Sequence, residues 1–134
     1  MPTDQIARKI WKDVFGDKEW AQDCFGTWMH RDAHSNEEVY LLRPGNTKPY
    51  DYSWNVDHIR PVSNFSKESD ADFLNNYEPM HRLNNLAKSD NFPHFEISRN
   101  KYQVVKDING HGYGIVDVST GRRIDWKAKQ GKYY

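Results

Sequence analysis

Apolar residues recur at helical spacing near the start of the chain. Ile6, Ile10 and Val14, with Trp11 beside them, form a stripe over residues 3–15. Thr3 or Asp4 offers an N-cap and Gly16 a stop, so the segment predicts an amphipathic helix. Trp20, Cys24 and Trp28, with Phe25 nearby, repeat the spacing and predict a second short helix over residues 19–31. From 32 to 53 the pattern turns polar and irregular. Pro44-Gly45-Asn46 and Lys48-Pro49 mark turns, with one short strand expected over 39–42. A β-like run over 52–59 stops before Pro61, which cannot continue a strand ladder. A polar excursion over 63–75 leads to a short apolar segment at 77–80. A helix over 82–90 follows, with Leu83, Leu86 and Ala87 on one face and Pro93 as its stop. The last third reads as strands over 102–108, 113–118 and 123–127, separated by a Gly110/Gly112/Gly114 turn region and a Thr120-Gly121 turn. There is no internal repeat and no low-complexity tract.

Composition changes this picture in one respect. A chain of 134 residues is one domain's worth, expected as a single domain over 1–134, but only 37% is hydrophobic and the mean hydropathy is −1.00. Aromatic residues make up 14% of the chain, and each ring can bury about 150–250 Å², so the core is expected to be built from rings. Cys24 stands alone, which excludes an internal disulfide and a multi-cysteine zinc site. No stretch approaches the roughly 18 apolar residues of a membrane span. The polar start has no signal-peptide core. These features predict a soluble protein of a reducing compartment, the cytoplasm, with no membrane partner.

Net charge is zero, from 19 basic and 19 acidic residues. It is unevenly spread: residues 1–57 balance to −3, 58–98 to −2 and 99–134 to +5. A basic third on an otherwise acidic chain is a candidate polyanion-binding face, against the alternative of a solubilising tail. Arg122, Arg123 and Lys127 are its named candidates, followed by Lys129 and Lys132 with Trp126, Tyr133 and Tyr134 interleaved.

The chemistry concentrates in residues 54–92. Asp57 and His58 close the β-like run, Asn76 follows eighteen residues after His58, Asn85 nine further on, and Lys88 one helical turn beyond. Neighbours on a regular strand point to opposite faces, so Asp57 and His58 can serve one site only where the strand loses its regularity. Asp and Asn oxygens suit a hard divalent cation. An imidazole can accept a proton near neutrality. Together these groups suit phosphodiester hydrolysis.

In these residues the chain resembles the HNH nucleases of the ββα-metal fold. VDHIRPVS is similar to that family's first motif, Asn76 in NNYEPMH to its middle asparagine, and NNLAKSD to its last. NLAKSDNFP is also similar to the HNH domain of RNA-guided nucleases, and FGTWMHR to a segment preceding the motif in one free-standing HNH group. The resemblance covers about 40 of the 134 residues. It implies an α+β fold: a β-hairpin of about 52–59 and 77–81 packed on the helix 82–90, a core motif of about 52–92, flanking N-terminal helices and a β-rich basic extension over 99–134. It implies that Asp57 and Asn85 hold one divalent metal, Mg2+ before Mn2+ or Ni2+. His58 would be the general base, and Asn76 would tether the loop and orient His58. Double-stranded DNA is the implied substrate. Many family members carry two CxxC pairs for a structural zinc; His81 and Asn84 stand where two of those cysteines would fall, so no structural zinc is expected. Trp54 and Tyr77 would then hold the hairpin to the helix.

Each residue also has a plainer reading. Asp57 alone could be a turn or capping carboxylate, Asn76 a turn asparagine, and Asn85 a helix cap, with Asn84 the alternative ligand. His81 could contact phosphate, act as an auxiliary ligand, or make a structural hydrogen bond. Arg82 and Lys88 are candidate phosphate contacts or exposed helix cations. His30, His34, His94 and His111 have no evident partner. Trp11, Trp20 and Trp28 suit a core better than a base-stacking platform. Two other functions stay open: a non-catalytic nucleic-acid-binding module of HNH type, and an antibacterial toxin domain with an immunity protein. The start at Met1 and the compact length favour an independent protein over the toxin.

Overall fold

The computed structural model describes residues 3–107 and 112–131. Its backbone gathers into two compact units, Met1–Val56 with Pro79–Asn85, and Asp57–Glu78 with Leu86–Tyr134. Helices and small sheets are mixed, an α+β composition. No helix among the described residues is long and apolar enough to cross a membrane.

The first unit begins with α1, Asp4–Phe15, capped by the Thr3 side chain, which accepts from the Ile6 amide, and closed by Gly16 at φ +67°. Ala7, Ile10 and Trp11 form its buried face, while Ile6 is exposed. Trp11 packs 5.0 Å from Trp54, and its Nε1 donates to the Lys18 carbonyl. The expected core of rings is therefore present here. The expected second helix is not. Residues 19–31 instead form an antiparallel hairpin of β1, Trp20–Gln22, and β2, Trp28–His30. The cause is local chemistry that helical periodicity does not register. The Asp23 carboxylate accepts from the amides of Phe25 and Thr27, and Gly26 turns the chain at φ +86°. Such Asx turns compete directly with helix formation. A second small hairpin, β3 (Tyr40–Leu41) with β4 (Tyr50–Asp51), occupies the segment of turn signals.

β5, Trp54–His58, and β6, Tyr77–His81, form a two-stranded sheet. The chain between them winds through three short 3-10 turns, Val62–Asn64, Glu68–Ala71 and Leu74–Asn76. α2, Arg82–Lys88, follows β6 directly. It ends five residues before Pro93, because Ser89 already adopts φ +52°.

The second unit holds an antiparallel sheet of order β10-β9-β8-β7, made of β7 (His94–Ile97), β8 (Asn100–Lys106), β9 (Tyr113–Asp117) and β10 (Arg122–Arg123). The β-rich C-terminal third is thus present, with β7 as a strand the periodicity missed. Phe95, Ile97, Tyr102, Val104 and Ile115 are buried along it. Residues 123–127 do not form the expected strand. After β10 the chain caps at Asp125 and turns into α3, Trp126–Lys129. The physical reason is tertiary: the Trp126 amide donates to the Glu78 carboxyl and its Nε1 to the Tyr77 carbonyl, which docks the segment as a helical turn. A Cβ at Gly114 would meet the Arg123 guanidinium, which is paired with Asp107 and Asp125. The expectations for Ile108, Gly110, His111, Lys132, Tyr133 and Tyr134 lie outside the described residues.

Candidate active site

Asp57 and His58 end β5 and, as strand neighbours, find separate partners. Asp57 is buried and faces Lys88, whose Nζ lies 3.1 Å from Oδ2 and 3.4 Å from Oδ1. Burial pushes the Asp57 carboxyl up from its ordinary value, outweighing the opposing pull of the Lys88 ammonium and of His58. The Lys88 ammonium also donates to the carbonyls of His58 and Ile59, at 3.2 and 2.9 Å, and is wholly buried. Lys88 is therefore not the exposed phosphate-binding cation its helix position suggested. It is the counter-charge of Asp57, because a carboxylate buried without one is costly.

His58 is half-buried, with Nε2 2.8 Å from Asp72 Oδ1 and its ring edge against Tyr77. Nδ1 makes no hydrogen bond among the described residues. Asn76 is fully buried and works through the backbone rather than on the imidazole itself. Its Oδ1 accepts from the Arg60 amide at 2.9 Å, its Nδ2 donates to the carbonyls of Arg60 and Ala71, and its own carbonyl accepts from the Ile59 amide. One side chain thus ties the end of β5 to the far end of the loop. The partner that touches the His58 ring is not Asn76 but Asp72, which the sequence did not single out.

In the other unit, the Asn85 amide donates to the Asn55 side chain. Asn84 donates to Asp23 and Thr27, at 2.9 Å each, and so braces the β1–β2 turn. Both asparagines thus donate Nδ2 to other side chains. His81 is buried, its Nδ1 accepts from the Leu83 amide and its Nε2 faces the Asp51 carbonyl, so it takes neither the phosphate nor the auxiliary-ligand role.

Asp57 is a hard oxygen donor whose Oδ2, though 3.1 Å from the ammonium, lacks a directed hydrogen bond. A carboxylate oxygen of that kind is what a hard divalent cation takes. Among the described residues no three His, Cys, Asp or Glu side chains cluster to hold a metal by themselves.

The expected DNA-binding cations fare unequally. Arg82 is held by Asp51 at 2.9 Å and Ser53 at 3.0 Å. Burial pushes the Asp51 carboxyl up, but hydrogen bonds from Ser53, Val39 and Arg82 bring it down to about 2. Arg123 forks onto Asp125 and reaches Asp107, every contact at 2.8 Å. Lys127 is buried against Asp107 and the carbonyls of Asn75 and Tyr113. These three are corrected to structural cations; Arg122 alone of its group is exposed. His30 and His34, left without partners by the sequence, pair with Glu19 and Asp4.

Asp72 and Asn55 are the contacts of the candidate residues that the sequence did not single out. Asp72 lies four residues before Asn76, yet one polar residue in a polar loop carries no signal of the ring it meets. No protein-family model, curated protein or solved structure matches this chain.

Proposed function

We propose that this chain is a metal-dependent HNH-type endonuclease that hydrolyses phosphodiester bonds of DNA. The supporting observation is the arrangement at the end of β5: a buried carboxylate, Asp57, beside an imidazole whose Nε2 is occupied by Asp72 and whose Nδ1 is uncommitted. The chain order of strand, loop, strand and helix is compatible with the ββα-metal core that the resemblance implies. His58 Nδ1 takes a proton from water, the water oxygen bonds to phosphorus, and the bond from phosphorus to the 3′ oxygen breaks. The leaving oxygen takes a proton from solvent, giving a 5′-phosphate and a 3′-hydroxyl. A divalent cation, Mg2+ before Mn2+ or Ni2+, held by Asp57 and Asn85, would supply charge stabilisation to the transition state. Lys88 would keep Asp57 ionised while no cation is bound.

With Arg82, Arg123 and Lys127 consumed internally, phosphate contacts fall to the exposed cations of the C-terminal third: Arg99, Lys101, Lys106, Arg122 and Lys129. The cytoplasm is the compartment this reading favours.

Supercoiled-plasmid cleavage with Mg2+, Mn2+, Ni2+ or EDTA tests the proposal, run beside His58→Ala. Loss of a positioned base is expected to reduce the rate by about 10²–10⁴-fold with the fold intact. A folded variant within about tenfold of the parent rate removes His58 from the role. Full activity in excess EDTA removes the metal.

A further inference from the structure

We infer that Asp72 is the positioning residue of His58: its carboxylate holds the imidazole in the Nε2–H form, which leaves Nδ1 as the basic nitrogen. The consequence for catalysis rests on the nuclease reading above; the pairing itself does not.

An ionised carboxylate can only accept hydrogen bonds, so the nitrogen 2.8 Å from Asp72 Oδ1 must carry the proton. In a neutral imidazole the other nitrogen then holds the lone pair. The choice between the two nitrogens is thus made by Asp72. Two further contacts limit how the pair can move. The His58 ring lies edge-on to Tyr77, 5.3 Å between centroids, and the Tyr77 hydroxyl donates to the same Asp72 oxygen at 3.4 Å. The backbone of both partners is fixed by one residue. Asn76 binds Arg60, two residues after His58, and the carbonyl of Ala71, which is fully buried and immediately precedes Asp72. The loop can therefore present Asp72 to His58 without the intervening 3-10 turns having to be rigid. Asp72 itself is about half exposed at its side chain. Exposed on that side, the pairing adds little to stability. Its effect is then expected in orientation rather than in folding, and this makes the variant testable.

The experiment uses the full chain and the variants Asp72→Ala and Asp72→Asn, with melting temperatures to verify folding. In metal-free protein at about pH 8, where an ordinary imidazole is neutral, nitrogen-resolved NMR of the His58 ring is expected to show a protected Nε2–H and an unprotonated Nδ1. In Asp72→Ala the protected Nε2–H signal is expected to be lost to solvent exchange. With plasmid substrate, kcat should fall about 10–100-fold, the range for residues that orient a metal-site side chain, with KM unchanged. A wild-type ring that shows no protected Nε2–H overturns the inference at its geometric root. So does a protonated Nδ1. An active wild type whose folded Asp72 variants keep kcat within about twofold overturns the inference alone, leaving a surface pair. A wild type inert with every metal overturns the nuclease reading and the catalytic role of Asp72 with it, while the NMR signal still decides the pairing.

Discussion

Two groups of buried charge within the second unit look alike in sequence and differ in how many cations they contain. In the C-terminal group, two cations face two acids. Asp107 is gripped by Lys127 and Arg123 at 2.8 Å each, and Asp125 by the Arg123 fork while it also accepts the Ile115 amide. At the end of β5, Asp57 has one cation, at 3.1–3.4 Å, and a carboxyl that burial pushes upward. His58 beside it has one nitrogen committed to Asp72 and one uncommitted. Two cations against two acids hold the C-terminal segment in place; one cation against Asp57, and one carboxylate against His58, leave the end of β5 less densely paired. The difference teaches that a cation count along the sequence, such as the +5 of residues 99–134, does not measure the charge available to a polyanion.

The largest test of this contrast is Lys127→Ala. It removes an ammonium that binds Asp107, Asn75 and Tyr113 in a buried position, and should cost about 3–5 kcal/mol of unfolding free energy by calorimetry or denaturant titration. A cost under about 1 kcal/mol would mean the network is no tighter than a surface pair.

Lys88→Met is expected to cost less, about 1–3 kcal/mol, the penalty for a buried group left without its partner. It should also be pH-dependent. The native Asp57 carboxyl already titrates above its ordinary 3.8, and loss of Lys88 raises it further. A native pKa above the unfolded one places the penalty at higher pH. The gap between variant and parent should therefore be small below about pH 4 and widen toward neutrality. A pH-independent gap in urea midpoints would show that Lys88 does not shift the titration of Asp57.

Glu78→Gln gives the smallest effect and concerns both groups, since Glu78 feels Asp125 and Asp57. Burial first, then the charge of Asp125, pushes its carboxyl well above 4.5. Ionisation is harder in the fold, so wild-type stability falls as pH rises above that value. Glutamine keeps an acceptor for the Trp126 amide and removes the charge. The variant should match the parent near pH 4 and be more stable by about 1 kcal/mol at pH 8. Lower stability at pH 8 would mean that the ionised form is the one the fold uses.

Local physics alone determined several features of this protein. α1 is set by its apolar stripe, its Thr3 cap and Gly16, all within one segment. β5 and its stop before Pro61, the turn-rich loop that follows, and the placing of Asp57, His58 and Asn76 around them are legible for the same reason: each depends on neighbours in the chain. The hairpin at 20–30 shows the limit of that legibility. Trp20 and Trp28 fit a helical stripe, but Asp23 turns the chain, and its other oxygen is claimed by His81 and Asn84, some sixty residues on. The roles of the cations were decided the same way. Lys88 and Lys127 carry the composition of a phosphate-binding surface, and only folding sets them against Asp57 and Asp107, 31 and 20 residues away. Asp72 meets His58 across fourteen residues of loop. Periodicity and capping act over one or two turns of chain, whereas the partner of a buried charge is chosen by desolvation, which acts only once distant segments have closed around it.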